Sequence, residues 1–303
     1  MTNEEIQKQR DKRKRVSRMK KMIVTTILTY MIVSIVVMVF LLYKVFSLQH
    51  QIYILSGDYD FDNIVEDEYA SAYDEEGESK LYTNDNSANL LEEGEIPMVY
   101  LTFDDGPSAN TEKILDILAD YKVKGNFFVV GTKSSELRKM YKRIVEEGHT
   151  LGMHSYSHKY SQIYSSKEAF AQDLTMLQEY LYDLTGVWSR YYRFPGGSSN
   201  TTSKVNMNEL LEYLDEQDIE YFDWNVVSGD ATGSYVSADR IYENCISKLD
   251  KFDNIYILMH DAQAKKSTVE ALPRVIETLQ SIDGVRIMQI DENSTPVQHK
   301  TLD

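Results

Sequence analysis

Two adjacent carboxylates and two histidines four residues apart are the side chains of this sequence best suited to chemistry. Asp104 and Asp105 follow an apolar run in "VYLTFDDGP", and His154 and His158 open and close "HSYSH". Two imidazoles and one carboxylate can hold a divalent metal and leave a position for water, an arrangement suited to hydrolysis. The histidine spacing lets both rings face one point if the segment turns helically. Either aspartate can then bind the metal while its neighbour acts as a base on water.

Three more polar residues stand where predicted strands end. Arg193 lies in "YRFPGG", Asp230 follows "WNVVSG" and His260 closes "ILMH". In parallel α/β folds, functional groups gather at the carboxyl ends of the strands. The aspartates and "HSYSH" also follow predicted strands, so we expect all of these side chains to meet at one edge of a sheet.

The elements that must position these residues begin at about residue 96. Short β-rich runs alternate with longer amphipathic runs, which predicts parallel βα units. Strands are predicted at 98–103, 125–130, 149–154, 190–194, 219–224, 254–260 and 285–290, and helices near 110–121, 134–147, 167–185, 205–217, 237–251 and 267–281. We expect an α/β fold, a distorted and incomplete (β/α) barrel of about seven parallel strands, with a doubly wound open sheet as the competing architecture.

The N-terminus predicts a membrane anchor. Residues 22–43 carry no charge, and a helix of that length crosses a hydrocarbon core of about 30 Å. Residues 1–21 hold nine Lys/Arg and three Asp/Glu, so this basic tail is expected in the cytoplasm. A cleaved signal peptide is the alternative, but its apolar region would be shorter and would end in small residues. The sequence therefore predicts a single-pass cell-membrane protein whose remaining domain lies outside the membrane.

Charge and cysteine content limit the partners. Residues 56–95 hold fourteen Asp/Glu and one Lys, so 44–95 is predicted to be an acidic, flexible linker, with a specific acidic docking segment as the alternative. A net charge of −16 argues against a nucleic-acid partner. The single cysteine, Cys245, allows no intrachain disulfide.

Residues 96–291 would form the catalytic domain and 292–303 a C-terminal tail.

These motifs, in this order, resemble the polysaccharide deacetylase family, also called carbohydrate esterase family 4. The resemblance covers roughly residues 97–291, and "TFDDGP" with "HSYSH" is its most specific part. It implies metal-dependent removal of N-acetyl groups from glycans such as peptidoglycan, chitin or xylan esters. Membrane-anchored peptidoglycan N-acetylglucosamine deacetylases are the members that this chain resembles. Zinc is the metal expected, and cobalt, nickel or iron also suit an Asp-His-His site.

By position, the resemblance gives the two aspartates different roles. Asp104 would be the general base, and Asp105 would bind the metal together with His154 and His158. Arg193 would orient Asp104.

The resemblance assigns the proton donor and the acetyl site in the same way. His260 would protonate the leaving amine, and Asp230 would hold its imidazole. The metal and the backbone N–H of Gly196 would stabilise the oxyanion. Leu258 would line the pocket for the acetyl methyl group.

Two departures from the family pattern bear on the substrate. Family members commonly have Tyr where this chain has Gly196, and a glycine loop holds its backbone donor less rigidly. An aromatic residue commonly stands where this chain has Ala231, so one wall of the acetyl pocket is missing unless Trp224 or Tyr235 fills it. Neither change touches a metal ligand or a proton-transfer group, so we expect an active enzyme.

Two alternatives from other classes remain at this point. One is a non-catalytic glycan-binding module on the same fold, and the other is a membrane-anchored scaffold whose acidic linker recruits a partner. A deacetylase of another acetylated glycan is a third alternative within the enzyme class. A glycosidase is disfavoured, because adjacent carboxylates cannot easily flank a bond at the ~5 Å or more that its mechanism needs.

Overall fold

The structure is a computed structural model that describes residues 97–231 and 235–302 and five residues near the N-terminus. Those five are helical and exposed, and they are Lys21, Met22, Thr25, Met31 and Met38. Among the described residues, no helix has the length and apolar character to cross a membrane. The basic tail, most of the predicted anchor at 22–43 and the linker at 44–95 lie outside the described residues, so the anchor stays a prediction.

One parallel sheet organises the part of the chain from residue 97 to residue 302. Its strands are β1 (Met98–Asp104), β2 (Asn126–Val130), β3 (Thr150–Ser155), β4 (Tyr191–Tyr192), β5 (Glu220–Tyr221), β6 (Val226–Val227), β7 (Asn254–His260) and β8 (Arg286–Ile287). Seven strands follow the order β5-β4-β3-β2-β1-β7-β6, and β8 pairs with β1. The result is an α/β half-barrel, which confirms the incomplete barrel rather than the open sheet.

Helices cover the outer face of this sheet. They are α1 (Thr111–Asp120), α2 (Ser135–Glu146), α3 (Tyr160–Ile163), α4 (Lys167–Thr185), α5 (Met207–Glu216), α6 (Ala238–Ile246) and α7 (Lys266–Ser281). Six of these were predicted, because their apolar residues recur at the helical period and so form one buried stripe. The one-turn helix α3 was not predicted, since four residues are too few to show that period.

Alternation along the strands separates two apolar clusters. Every second residue of β1 and β7, such as Phe103 and Met259, packs in the larger cluster together with the helices. The residues between them face inward, and the rings of Tyr100 and Tyr256 stack at 4.2 Å. We call this second group the inner cluster, and it comprises Tyr100, Phe128, Phe222, Trp224, Ala231, Tyr256, Leu258, Ile290 and Val297.

Three predicted strands, β4, β5 and β8, are only two residues long each. β4 stops at Tyr192, because Pro195 has no N–H and Gly196 and Gly197 adopt φ of 77° and 79°. β5 stops at Tyr221, and the next two carbonyls accept hydrogen bonds from the side chain of Arg193 instead of from a strand. The sequence also missed β6, a pair of residues beside β7.

The predicted C-terminal tail packs against the domain. Val297 is buried, and its carbonyl accepts a 2.7 Å hydrogen bond from the N–H of Asp223. The hydroxyl of Tyr221 donates to the carbonyl of Lys300 at 2.5 Å. These contacts attach residues 297–300 to the segment after β5, although the domain boundaries themselves stay predictions.

Candidate active site

Strand register brings the first aspartate and the last site histidine together. Asp104 ends β1 and is the register partner of His260, which ends β7. His154 lies near the end of β3, two strands away from β1 on the other side. Because all three strands are parallel, their carboxyl ends share one edge, and the convergence predicted from strand ends is found there.

A buried ion pair joins Arg193 to Asp104. The guanidinium is fully buried and donates to the carboxylate of Asp104 at 2.8 Å and to the hydroxyl of Thr102 at 2.7 Å. It also donates to the carbonyls of Phe222 at 2.8 Å and Asp223 at 2.9 Å. A buried charge is tolerated when it is paired and its hydrogen-bond donors are satisfied. The orientation of Asp104 is therefore fixed by Arg193.

Asp105, His154 and His158 form a group that can hold a divalent metal. One ligand atom from each lies within 4.8 Å of the other two. Oδ1 of Asp105 lies 3.2 Å from Nε2 of His158 and 3.6 Å from Nε2 of His154. Ligand atoms about 2.0–2.1 Å from a tetrahedral ion lie about 3.3 Å apart, so the separations of Asp105 from the two imidazoles fit such an ion.

The protonation of His154 suits a ligand. Its Nδ1 lies 2.7 Å from the carbonyl oxygen of Arg193, which can only accept, so Nδ1 carries the proton and Nε2 keeps its lone pair. Burial is the main cause that lowers the pKa of His154 to about 4. The imidazole is therefore neutral near pH 7, as metal binding requires.

The turn between the two histidines is not helical. His154 belongs to a strand, and His158 has a φ of 52°, so the rings meet through an extended residue followed by a tight turn. The hydroxyl of Ser155 accepts a hydrogen bond from the N–H of His158 at 2.8 Å. The two rings therefore face one point without a helical turn, through a local hydrogen bond that four residues of sequence do not reveal.

Asp173 on α4 holds this turn, and sequence reasoning missed it. Its carboxylate accepts from the hydroxyl of Ser155 at 2.7 Å and from the N–H groups of Tyr156 at 2.8 Å and Ser157 at 3.0 Å. Asp173 lies in the middle of an ordinary amphipathic helix, so no motif marks it. Only its packing against the turn identifies it.

Asp261 supports the turn after the two aspartates and was also missed. Its carboxylate accepts from the hydroxyls of Thr111 at 2.6 Å and Ser108 at 3.1 Å, and its N–H donates to the carbonyl of Asp104 at 2.7 Å. A Cβ on Gly106 would lie 2.3 Å from this carboxylate, so only glycine fits there. Burial raises the pKa of Asp261 to about 7. Its position directly after His260 was the available signal.

His260 and Asp230 form a second buried pair. Nδ1 of His260 lies 2.7 Å from Oδ1 of Asp230, whose Oδ2 accepts from the N–H of His260 at 2.8 Å and from the hydroxyl of Thr268 at 2.7 Å. Burial alone would lower the pKa of His260, but the charge of Asp230 and their hydrogen bond outweigh it, and the pKa is raised. Burial would likewise raise the pKa of Asp230, yet His260 and Thr268 bring it to about 2.

The residues predicted for the acetyl site lie close to this edge. Leu258 and Trp224 are buried and share the inner cluster with Ala231, whereas Tyr235 is 83% exposed. Trp224 is therefore the better placed of the two aromatics to fill the wall at Ala231. Gly196 lies in the turn after β4 with φ of 77°. Substrate contact by any of these residues stays a prediction.

We expect Asp173→Ala to weaken metal binding although the residue touches no metal ligand side chain. The substitution removes the acceptor for one hydroxyl and two N–H groups, so the turn that carries His158 loses its support. The affinity for Zn²⁺, measured by titration calorimetry, is expected to fall about 10- to 100-fold. Asp183→Ala on the exposed face of the same helix is the control, and an equal affinity in the two variants would contradict the prediction.

Comparison with known proteins identifies the family. The polysaccharide deacetylase family matches residues 92–215. A Bacillus subtilis protein with the provisional name polysaccharide deacetylase YheN is 32% identical over 203 residues, which are 66% of this chain and 69% of that protein. A peptidoglycan-N-acetylglucosamine deacetylase of Bacillus cereus is 32% identical over 195 residues, which are 63% of this chain and 66% of that protein.

Comparison with solved structures supports the same family assignment. The crystal structure of the catalytic domain of peptidoglycan N-acetylglucosamine deacetylase from Eubacterium rectale superposes with a TM-score of 0.65 and 35% identity. It matches 72% of this chain and 98% of that domain. The chain belongs to the polysaccharide deacetylase family, carbohydrate esterase family 4.

Proposed function

We propose that this protein is a metal-dependent hydrolase that removes N-acetyl groups from cell-wall glycan, with peptidoglycan N-acetylglucosamine as its substrate. One observation carries the proposal. A candidate metal triad, an aspartate paired with Arg193 and a histidine paired with Asp230 occupy the same edge of the half-barrel. Binding a glycan requires none of these pairs, whereas hydrolysis of an amide uses each of them. The names of the relatives above support peptidoglycan as the substrate.

Asp105, His154 and His158 would hold the metal. When bound, a divalent metal lowers the pKa of a water molecule and polarises a carbonyl. Nitrogen and oxygen donors in this number suit Zn²⁺, and Co²⁺, Ni²⁺ or Fe²⁺ as well. Both imidazoles are buried, so they would exclude bulk water from two sides of the site.

Asp104 would act as the general base. Arg193 occupies Oδ1 of Asp104, and Oδ2 lies 4.0 Å from Nε2 of His154, beside the candidate metal triad. The attacking water would give its proton to Asp104 as its oxygen bonds to the amide carbon. The neighbouring Asp105 is engaged by the two imidazoles, which separates the roles of the adjacent carboxylates.

His260 would act as the general acid. Asp230 holds Nδ1 and raises the pKa of His260, so a proton is available at Nε2 for the leaving nitrogen. Transfer of that proton breaks the C–N bond and yields acetate and a free amine on the sugar. Negative charge that develops on the carbonyl oxygen would be stabilised by the N–H of Gly196, for which the described residues offer no acceptor.

We also propose that residues 22–43 anchor the protein and place this site outside the cell membrane, where wall glycan lies. The uncharged segment and the basic tail before it support this orientation. Protease added to intact protoplasts would then digest the domain and spare an N-terminal tag. Protection of the domain would rule this orientation out.

We expect the full-length chain, purified in detergent and loaded with Zn²⁺, to release acetate from peptidoglycan or N-acetylglucosamine oligomers. Asp105→Asn is expected to weaken Zn²⁺ affinity by more than about 100-fold, because a neutral amide is a poor ligand. Asp104→Asn is expected to keep the metal and to lose about 10²- to 10⁴-fold in kcat.

Mass spectrometry of the products and calorimetric Zn²⁺ titration of both variants make these measurements. Equal loss of metal in the two variants would overturn the division of roles. Binding of glycan without any turnover by the wild-type chain would favour the binding module. Acetate release from chitin or xylan oligomers alone would identify another acetylated glycan as the substrate.

The pH dependence of kcat should reveal the pKa of His260, which the pairing with Asp230 raises. The active form of His260 is protonated, so kcat falls as the pH rises through its raised pKa. Asp230→Asn removes the charge that raises this pKa, so the alkaline limb is expected to move to lower pH by about 1–3 pH units. Steady-state kinetics between pH 5 and pH 10 would measure this shift. An alkaline limb at the same pH in Asp230→Asn and wild type would contradict the role of His260.

A further inference from the structure

The orientation of one peptide unit decides whether the Gly196 N–H can serve the reaction. Gly197 N–H donates to the carbonyl of Phe194 at 2.8 Å across Pro195 and Gly196. Pro at the second position and glycine with φ of 77° at the third define a type II turn. Rotation of the central peptide, which joins Pro195 to Gly196, converts a type II turn into a type I turn. Glycine permits both forms, so the turn needs an outside contact to keep one of them.

We propose that Tyr160, which begins α3, and Tyr164, which directly follows it, are positioning residues that fix this peptide and set its place relative to the candidate metal ligand His158. The inference rests on the proposed function, in which the Gly196 N–H faces the developing negative charge. Neither tyrosine would touch the substrate. Together they would replace the support that a side chain at residue 196 could otherwise give.

Tyr164 fixes the peptide through its carbonyl. Its hydroxyl donates a 2.7 Å hydrogen bond to the carbonyl oxygen of Pro195, and the tyrosine is buried. This carbonyl and the Gly196 N–H belong to the same planar peptide unit, so holding one sets the direction of the other. Burial raises the pKa of Tyr164 well above its usual range, and the phenol therefore remains a donor at any physiological pH.

Tyr160 fills the space beside Gly196. A Cβ built on Gly196 would lie 3.2 Å from the hydroxyl oxygen of Tyr160, so this hydroxyl occupies the direction that a side chain would take. The ring of Tyr160 lies 5.6 Å from the imidazole of His158 and stacks at 5.9 Å on the ring of Tyr164. A continuous set of packed rings thus links the candidate metal site to the turn.

The far side of the turn has its own supports. The N–H and hydroxyl of Ser198 donate to the carboxylate of Asp223 at 2.9 Å and 2.5 Å. The side chain of Asn200 donates to the carbonyl of Gly197 at 2.8 Å. These bonds hold the peptides after Gly196 but do not reach the peptide before it. Tyr164 is the residue whose removal would release that one peptide.

Tyr164→Phe tests the inference, since it removes the hydroxyl and keeps the ring. In the full-length Zn²⁺-loaded enzyme we expect kcat to fall about 10- to 100-fold, with KM and Zn²⁺ affinity within about twofold of wild type. A methylphosphonamidate of glucosamine mimics the tetrahedral anion, and its inhibition constant is expected to rise in parallel with the loss of kcat. A purely structural role would not produce that parallel change.

Tyr256→Phe is the matched control. Tyr256 is also buried, and its hydroxyl donates to the carbonyl of Thr295 at 2.9 Å, away from the turn. It should lose a similar amount of thermal stability and keep kcat. The inference would be overturned by an unchanged kcat in Tyr164→Phe. A raised KM together with weakened Zn²⁺ affinity would overturn it as well.

A second variant keeps the test decisive if Tyr164→Phe does not fold. Tyr160→Leu removes the ring between His158 and Tyr164, and its kcat is expected to fall while the analogue again binds more weakly. An active wild-type enzyme with normal kcat in both tyrosine variants would refute this inference alone. A wild-type enzyme that releases no acetate would refute the proposed function and, with it, this inference.

Discussion

The buried charge of Arg193 is the constraint around which this site is arranged. A guanidinium without solvent must be neutralised and its donors satisfied, and losing one partner of such a pair costs about 3–5 kcal/mol. Asp104 supplies the countercharge, and the carbonyls of Phe222 and Asp223 accept two of the remaining hydrogen bonds. Both carbonyls directly follow β5, so the chain leaves the strand where its carbonyls turn to the guanidinium.

The same ion pair explains how two adjacent carboxylates can coexist. Asp104 is bound to Arg193, and Asp105 turns toward the two imidazoles with a φ of 71°. Gly106 and the carboxylate of Asp261 shape the turn that separates the two side chains. Arg193 thus offsets the charge of Asp104, and in the proposed function the metal would offset that of Asp105. The guanidinium also lies 4.2 Å from the ring of Phe128, which closes the barrel interior beneath the charges.

Much of the fold was readable from the sequence because it depends on local repetition. β1 and β7 alternate inward and outward residues, and their bounds agree closely with the predicted runs at 98–103 and 254–260. The longer helices likewise show their apolar stripe. The two-residue strand β6 and the one-turn helix α3 escaped, because such short elements are defined by hydrogen bonds to distant segments. The contacts of residues 297–300 with the segment around β5 likewise join distant parts of the chain and could not be read from the sequence.

The sequence by itself determined which side chains stand at the strand ends and in what order, and so indicated a metal site, a base and an acid at one edge. Strand alternation and chain breaks at glycine and proline are local properties, so one sequence sufficed. Only the tertiary structure showed which further residues support these groups, since such contacts join residues far apart in the chain. Asp173 under the histidine turn, Thr268 on Asp230 and Tyr164 on the Pro195 carbonyl are of this kind. Each depends on how a helix packs, and no motif in the sequence records that packing.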